Sequence, residues 1–227
     1  MKEHRLRPIA RMRCDLGEKF GVPRQAGVVP ELEGLVVFEP EFRDPEALRG
    51  IEGFSHLWLI WQFSENLREE DDWSPTVRPP RLGGNTRMGV FATRSPFRPN
   101  ALGLSSVRLL GLEKDPELGT VLRIGGADLM DGTPIYDIKP YVPYADCHPE
   151  ALSGFAPDAG ETLELAFPTE LEARIPPEKR EALRGVLAND PRPRYHDDPS
   201  RVYGLRFGAQ NIKFTVDGKR LTVTDVE

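Results

Sequence analysis

Six arginines lie in a stretch of 39 residues, from Ser74 to Leu112, that contains no aspartate or glutamate. The whole chain has 30 basic and 36 acidic residues, so this stretch differs sharply from the remainder. The planar guanidinium group of arginine forms paired hydrogen bonds with phosphates and carboxylates. The pattern predicts a site for an anionic ligand, and arginines that pair with acidic residues elsewhere in the chain are the alternative interpretation. The arginines are Arg78, Arg81, Arg87, Arg94, Arg98 and Arg108.

A proline-bounded loop lies inside this stretch, with the sequence SPFRPN from Ser95 to Asn100. Proline fixes the backbone, and the preceding Gly83 and Gly84 leave the main chain open to a ligand. Loops held in this way commonly carry binding or catalytic groups. Arg98 and Asn100 are therefore candidates, while a plain turn with capping side chains is the alternative.

Two more segments concentrate polar groups at turns. The sequence DGTPIYDIKPY, from Asp131 to Tyr141, places two carboxylates and a threonine in a tight turn that enters a predicted strand. The sequence DPRPRYHDD, from Asp190 to Asp198, combines arginine, tyrosine, histidine and aspartate. Such a loop either contributes to a site or is a solvated connector. No histidine or cysteine spacing matches a metal site, so we predict none.

Composition limits the classes of protein that this chain can represent. With 39% hydrophobic and 29% charged residues it is typical of a globular chain, and its net charge of −6 excludes global coating of nucleic acid. Two cysteines are too few for a disulfide framework, and no stretch is long and apolar enough to span a membrane. We therefore expect a cytoplasmic protein that does not enter a membrane.

Short apolar segments separated by glycine, proline and aspartate predict a mainly β fold. The first 155 residues are expected to form a β-barrel or sandwich. Residues 156–227 are expected to form a small α+β domain, with an amphipathic helix from Glu178 to Ala188 and a three-stranded meander whose last turn is Asp217-Gly218.

Three ordered strings give this chain a family resemblance. GFSHLW (Gly53 to Trp58), RPPRLGGNTRMGVFATRSPFRPNALGLS (Arg78 to Ser105) and DGTPIYDIKPY closely resemble the TsaA/TrmO family of tRNA adenosine-37 N6-methyltransferases. The DPRPRY loop and the following RVYGLRF (Arg201 to Phe207) resemble its bacterial C-terminal region. The resemblance covers nearly the whole chain.

The resemblance implies an enzyme that uses S-adenosyl-L-methionine (SAM), is built on a TsaA-like β-barrel and acts as a homodimer. It implies that the acceptor is N6-threonylcarbamoyladenosine (t6A) at position 37, in the anticodon arm of tRNA, which is methylated to m6t6A. It also implies a set of SAM-binding residues by match of motif: Gln25, Ala26, Gly27, Ser64, Glu65, Arg94, Leu104, Asp131, Gly132, Thr133 and Pro134.

Our mechanistic hypothesis assigns the remaining polar residues to the acceptor. Asp190 would accept the N6 proton or a hydrogen bond, and Tyr195 would orient N6 or stack on a base. Asn100 and Arg98 would face the modified base, while Arg192 or Arg194 would contact the threonyl carboxylate or a phosphate, with Arg87 as a further tRNA contact. Two alternatives remain at this point: a non-catalytic module that binds the anticodon arm, and a SAM-dependent enzyme with another acceptor.

Overall fold

The computed structural model describes residues 5–66, 73–193 and 198–227. Most of its regular structure is strand, which confirms the predicted mainly β fold. Numbered in chain order, the strands are β1 (Ala10–Cys14), β2 (Glu33–Phe38), β3 (His56–Gln62), β4 (Thr76–Val77), β5 (Met88–Gly89), β6 (Leu102–Asp115), β7 (Gly119–Gly125), β8 (Pro134–Pro140), β9 (Glu164–Ala166), β10 (Tyr203–Phe207), β11 (Gln210–Asp217) and β12 (Arg220–Val226).

Helices in the described residues are short. Beside 3-10 turns there are α1 (Pro143–Asp146), α2 (Thr169–Glu172) and α3 (Arg180–Ala188). The pair Asp44-Pro45 opens one of these 3-10 turns, and the Asp44 carboxylate caps it by accepting the Glu46 N–H at 3.0 Å. The 3-10 turns are Pro40–Phe42, Pro45–Leu48, Ile51–Gly53, Ser64–Asn66, Pro80–Leu82, Val90–Ala92 and Pro177–Lys179.

The N-terminal sheet closes on itself. Its strand order is β1-β2-β7-β6-β3-β8, with every neighbouring pair antiparallel. Ala10 and Arg11 of β1 pair with Ile135 and Pro134 of β8, which joins the two ends into a closed barrel. Alternate residues of β3 fill the interior, so that Leu57, Leu59 and Trp61 are buried, while Trp58 and Ile60 stay half-buried on the outer face.

The C-terminal sheet is larger than the predicted meander. Strands β10, β11 and β12 form the expected antiparallel meander, with the Asp217-Gly218 turn between the last two. Strand β9 adds to it by pairing parallel to β12, so the sheet has four strands in the described part of the chain. Helix α3 covers it with Leu183, Val186 and Leu187, as its apolar periodicity predicts.

The connection between β1 and β2 packs in the hydrophobic core formed by α3 and the C-terminal sheet. Leu16, Val29 and Leu32 are buried among the residues of α3 and the C-terminal sheet. Gly185 of α3 allows this approach, because a Cβ there would lie 2.5 Å from Cγ1 of Val29. Residues 15–32 are therefore held on both sides, by the barrel strands at their ends and by the C-terminal core along their length.

None of the helices described in the chain has the length and apolar character needed to cross a lipid bilayer.

Leu16 gives a direct test of this tie between the two sheets. Replacing its fully buried side chain by alanine in Leu16→Ala should lower the free energy of unfolding by about 2–5 kcal/mol. The matched change Leu152→Ala, at a side chain that is 98% exposed, should leave it within about 0.5 kcal/mol of wild type. Urea denaturation measures both, and equal stabilities of the two variants would contradict the packing.

Candidate functional site

A half-buried, hydrogen-bonded carboxylate, Asp128, lies just beyond the end of β7. Asp128 accepts a hydrogen bond from the Ser105 hydroxyl at 2.5 Å, and Ser105 in turn accepts the Trp61 indole N–H at 2.9 Å. Ser105 is only 2% exposed. Because an unpaired carboxylate is costly to bury, these donors are what allow Asp128 to remain in place.

Strand register brings these three side chains together. Trp61 of β3 pairs with Gly103 of β6, and a Cβ at Gly103 would lie only 2.3 Å from Cε2 of Trp61. The missing side chain lets the indole ring lie over β6, which directs its N–H to Ser105 two residues further along the strand.

The loop from Gln25 to Gly27 packs on this carboxylate. The Ala26 backbone N–H lowers the pKa of the Asp128 carboxyl, and the Gly27 N–H donates to the Gly126 carbonyl at 2.7 Å. Gly126 has a φ of +75°, and a Cβ at this position would approach Cα of Gly27 to 3.2 Å. A larger residue would push the loop away, so glycine at 126 is required for this contact.

Arg94 joins the same loop from the arginine-rich segment. Its guanidinium donates to the side-chain oxygen of Gln25, whose amide donates to the Arg24 carbonyl. Arg94 remains exposed, and its remaining donors can bind an anion such as a carboxylate. The predicted residues Gln25, Ala26, Gly27 and Arg94 therefore lie together.

Burial raises the pKa of the Asp128 carboxyl above its ordinary value of 3.8. The hydrogen bonds from Ser105 and the Ala26 N–H and the positive charge of Arg94 act in the opposite direction but do not cancel the desolvation. The site thus contains a carboxyl group whose ionisation depends on its hydrogen-bond donors.

The turn from Asp131 to Pro134 is fixed to β1. The Asp131 carboxylate accepts the Cys14 N–H at 3.0 Å, and the Gly132 N–H donates to the Met12 carbonyl at 2.8 Å. Thr133 is 3% exposed and its carbonyl accepts the Met12 N–H at 3.0 Å. Asp131 and Gly132 are exposed, whereas Thr133 and Pro134 are buried, so the turn offers mainly its first two residues to a ligand.

The other predicted SAM contacts lie on a different surface. Ser64 and Glu65 are exposed on the 3-10 turn that follows β3. Leu104 is 56% exposed and sits opposite Ile60 on the outer face of the sheet. Because neighbouring residues in a strand face opposite sides, Leu104 points away from Ser105 and from the Asp128 network.

Asn100 lines a cavity of about 480 Å³ at the end of the barrel. Gln62 and Tyr136 also line it, and the Tyr136 hydroxyl donates to the Gln62 side-chain oxygen. The neighbouring Arg98 instead binds its own loop, donating to the carbonyls of Thr93 and Ser95 at 3.0 and 3.4 Å. Its guanidinium therefore stabilises the loop that presents Asn100.

The Asp190 loop meets the Gln25 loop. Asp190 has a φ of +50°, and its two carboxylate oxygens accept from Nε and Nη2 of Arg192 at 2.9 and 3.0 Å. The Arg192 side chain is only 10% exposed, and its carbonyl accepts from Arg24 at 3.5 Å. Arg192 thus points toward Asp190 and not toward solvent. The predicted residues Arg194 and Tyr195 lie outside the described residues.

Two family models divide this chain between them. The tRNA-methyltransferase O N-terminal domain matches residues 11–147, and the TrmO C-terminal domain matches residues 160–227. The chain belongs to the tRNA-methyltransferase O family. This confirms the family indicated by the sequence motifs.

Curated relatives and solved structures agree with the tRNA-methyltransferase O family. The tRNA (adenine(37)-N6)-methyltransferase of Escherichia coli (strain K12) is 40% identical over 227 residues, covering 95% of this chain and 94% of that protein. A putative S-adenosylmethionine-dependent methyltransferase, RcsF, of Pseudomonas aeruginosa is 43% identical over 211 residues, covering 89% and 88%. The crystal structure of TrmO from Pseudomonas aeruginosa superimposes with a TM-score of 0.80 at 33% identity, covering 100% of this chain and 99% of that one.

The sequence alone did not identify the network centred on Asp128. The local sequence sign of this network is a single aspartate that follows Gly125-Gly126 at the end of an apolar strand. Ser105 lies 23 residues from Asp128 and Trp61 lies 44 residues from Ser105, and only strand pairing shows that they meet. Within the described residues, no group of three or more histidine, cysteine, aspartate or glutamate side chains could hold a metal ion.

Asp128→Asn tests the raised pKa through stability. The folded protein holds the Asp128 proton more tightly than the unfolded chain, so this group stabilises wild type most at low pH and that contribution is lost as pH rises through the folded pKa. Asparagine does not ionise, so the variant lacks this pH-dependent contribution to stability. The unfolding free energy of the variant minus that of wild type should therefore increase between about pH 4 and pH 7.

Urea denaturation at several pH values measures this difference. Ser105→Ala removes a hydrogen bond that lowers the pKa, so its stability should fall more steeply with pH than that of wild type. A difference between Asp128→Asn and wild type that stays constant or decreases with pH would refute the assignment.

Proposed function

We propose that this enzyme, a SAM-dependent tRNA (adenine-N6)-methyltransferase, methylates N6 of t6A at position 37 of tRNA to give m6t6A. Family membership and the names of its relatives support adenine 37 as the acceptor. The t6A side chain ends in a carboxylate, and the acid-free arginine segment supports an anionic acceptor of this kind.

The arrangement of Arg94, Gln25 and the Asp128-bound loop carries this proposal. SAM has a carboxylate, an amino group, a ribose diol and an adenine ring, and the described donors suit several of these. The exposed Arg94 guanidinium suits the carboxylate, and Gly27, where an added Cβ would meet nothing within 4 Å, leaves open backbone for a close contact. We propose that Asp131, Gly132, Thr133 and Pro134 complete the pocket through their turn.

We propose that a second subunit brings Leu104, Ser64 and Glu65 to the SAM site. Leu104 lies opposite Ile60 on the outer face of the sheet, where Trp58 and Ile60 are half-buried, and Ser64 and Glu65 are exposed on the turn that follows β3. We propose a homodimer in which this surface of one subunit faces the Gln25 loop of the other. The compartment that we propose is the cytoplasm, where tRNA is the partner.

SAM supplies an electrophilic methyl group on its sulfonium. For such a transfer the chain chiefly has to align the acceptor nitrogen in line with the methyl group and exclude water. We propose that Asn100 contacts the modified base from the cavity it shares with Tyr136, and that Arg98 acts by holding the Asn100 loop. Arg87, which is exposed, is proposed as a tRNA contact.

Asp190 is proposed to accept the N6 hydrogen. A carboxylate has about four lone-pair sites. Arg192 occupies two on Oδ1, through Nε and its backbone N–H, and one on Oδ2, so Oδ2 can still accept from N6. The Asp190 side chain keeps 25% of its surface exposed for this contact. In this proposal Arg192 positions Asp190, and Tyr195 and Arg194 add the stacking and anion contacts.

Methyl transfer to matched tRNA pools tests the acceptor. With radiolabelled SAM, we expect incorporation into a tRNA pool that carries t6A37 and at least a tenfold lower rate, about 1.4 kcal/mol in barrier, with the same tRNAs lacking the modification. Equal labelling of both pools would remove t6A from the proposal. Labelling of neither would remove the tRNA methyltransferase activity itself.

Asp190→Asn separates proton acceptance from orientation. Asparagine keeps a hydrogen-bond acceptor but is not a base, so a proton-accepting Asp190 predicts a fall in kcat of about 10²–10⁴. The control Asp198→Asn changes an exposed aspartate nearby, whose carboxylate caps Ser200, and should stay near wild type. Single-turnover methylation with t6A-containing tRNA gives both rates, and a kcat for Asp190→Asn within twofold of wild type would contradict a role as base.

A further inference from the structure

The two-stranded ribbon formed by β4 and β5 carries exposed aromatic rings at one end. Trp73 is 47% and Phe91 is 73% exposed, and their ring centroids lie 6.3 Å apart with planes tilted by 30°. Large aromatic side chains exposed as a pair are unusual on a protein surface, because each leaves a wide apolar area in water.

The other end of the same ribbon carries positive charge. Thr76 pairs with Gly89 and Val77 with Met88, and this register places Arg78 across from Arg87. Both arginines are exposed, and the part of the chain that the structure describes places no carboxylate within ion-pair distance of either. Like charges that face each other across a strand pair destabilise it, so an anion between them would relieve the repulsion.

The spacing between the two ends suits a short nucleic acid strand. Phe91 lies in the 3-10 turn that follows β5, four residues from Arg87, so their Cα atoms are at most about 14 Å apart. The Val90 N–H donates to the Pro75 carbonyl at 2.9 Å, which continues the ribbon toward the aromatic pair. Proteins that hold single-stranded RNA combine these features, with bases stacked on aromatic rings and phosphates on arginines.

We propose that Trp73 and Phe91 form a stacking platform for an unpaired base of the RNA substrate, with Arg78 and Arg87 binding the adjoining phosphates. The inference rests on the proposed function and adds a contact outside the methyl-transfer site. Phosphates are favoured at the end of the ribbon where Arg78 and Arg87 lie, and a base at the end where the two rings lie.

A second protein copy fits this surface less well than RNA does. In a symmetric dimer a patch near the axis meets its own copy, which would bring the arginine pairs of the two subunits together. The outer face of β3 and β6, with Trp58, Ile60 and Leu104, has apolar groups and none of these arginines. Charge complementarity thus favours an RNA strand on the ribbon.

Tryptophan fluorescence reports on the platform directly, in the absence of SAM. The chain has three tryptophans, of which Trp61 is 6% exposed and Trp58 half-buried, so quenching by an anticodon stem-loop RNA should come mainly from Trp73. Trp73→Phe should lose most of the quenching while still binding the RNA. Quenching that persists in Trp73→Phe overturns the platform.

Steady-state methylation provides the second arm. Trp73→Ala and Phe91→Ala should each raise the KM for tRNA about tenfold, the range for loss of one base stack, while Trp73→Phe restores it. The control Tyr144→Ala removes an aromatic side chain that is 93% exposed elsewhere and should not change this KM. Arg87→Gln should reduce the slope of log K against log salt by nearly one, and Phe91→Ala should leave that slope unchanged.

The outcomes distinguish this inference from the proposed function. Circular dichroism melts first establish that the variants are folded. If Trp73→Ala and Phe91→Ala methylate normally with an unchanged KM for tRNA, the platform is overturned and the proposed function stands. The same conclusion follows if these variants change the oligomeric state of the protein and leave the KM for tRNA unchanged. Quenching of Trp73 by RNA in a wild-type protein that methylates no tRNA supports the platform and overturns the function.

Discussion

The arrangement of the candidate site depends on one half-buried carboxylate. Asp128 accepts a hydrogen bond from Ser105 of the barrel wall, and the Ala26 N–H of the loop between β1 and β2 lowers its pKa. Both groups favour the ionised form, whereas a desolvated carboxylate without partners would take up a proton. These interactions set where the Gln25 loop lies and, through Gln25, where Arg94 points. Close packing around this network explains why glycine is needed at 103 and 126, where a side chain would displace the Trp61 ring or the Gln25 loop.

The same loop also connects the barrel to the C-terminal sheet. Leu16, Val29 and Leu32 belong to the core beneath α3, while Ala26 and Gly27 bind the end of β7. Arg24 reaches the carbonyl of Arg192, so the Asp190 loop is placed relative to the Gln25 loop by direct contact. A site assembled from both halves of the chain gains rigidity from packing that lies outside the site, which suits a reaction that depends on alignment.

Arginine serves several purposes in this molecule. Arg98 binds two carbonyls of its own loop and Arg192 binds Asp190, so these two hold backbone and side chains in place. Arg81 pairs with Asp158 at 2.6 Å and connects the arginine-rich segment to the start of the C-terminal part. Arg78, Arg87 and Arg94 keep exposed guanidinium groups. Some arginines of the acid-free segment therefore stabilise the structure, and others are exposed on its surface. Residue counts alone could not separate these two groups.

Local patterns in the sequence determined much of this protein. Apolar alternation and turn residues gave the mainly β fold, the buried face of α3 with Leu183 and Val186, and the hairpin at Asp217-Gly218, because each depends on residues close together in the chain. Ordered motifs gave the family. Tertiary structure alone decided the rest: that β9 joins the meander in parallel, that Leu16 packs under α3, that Arg98 and Arg192 turn inward, and that Asp128, Ser105 and Trp61 meet. These outcomes depend on strand register and on competition among donors for one buried acceptor, and neither is encoded in any short stretch of residues.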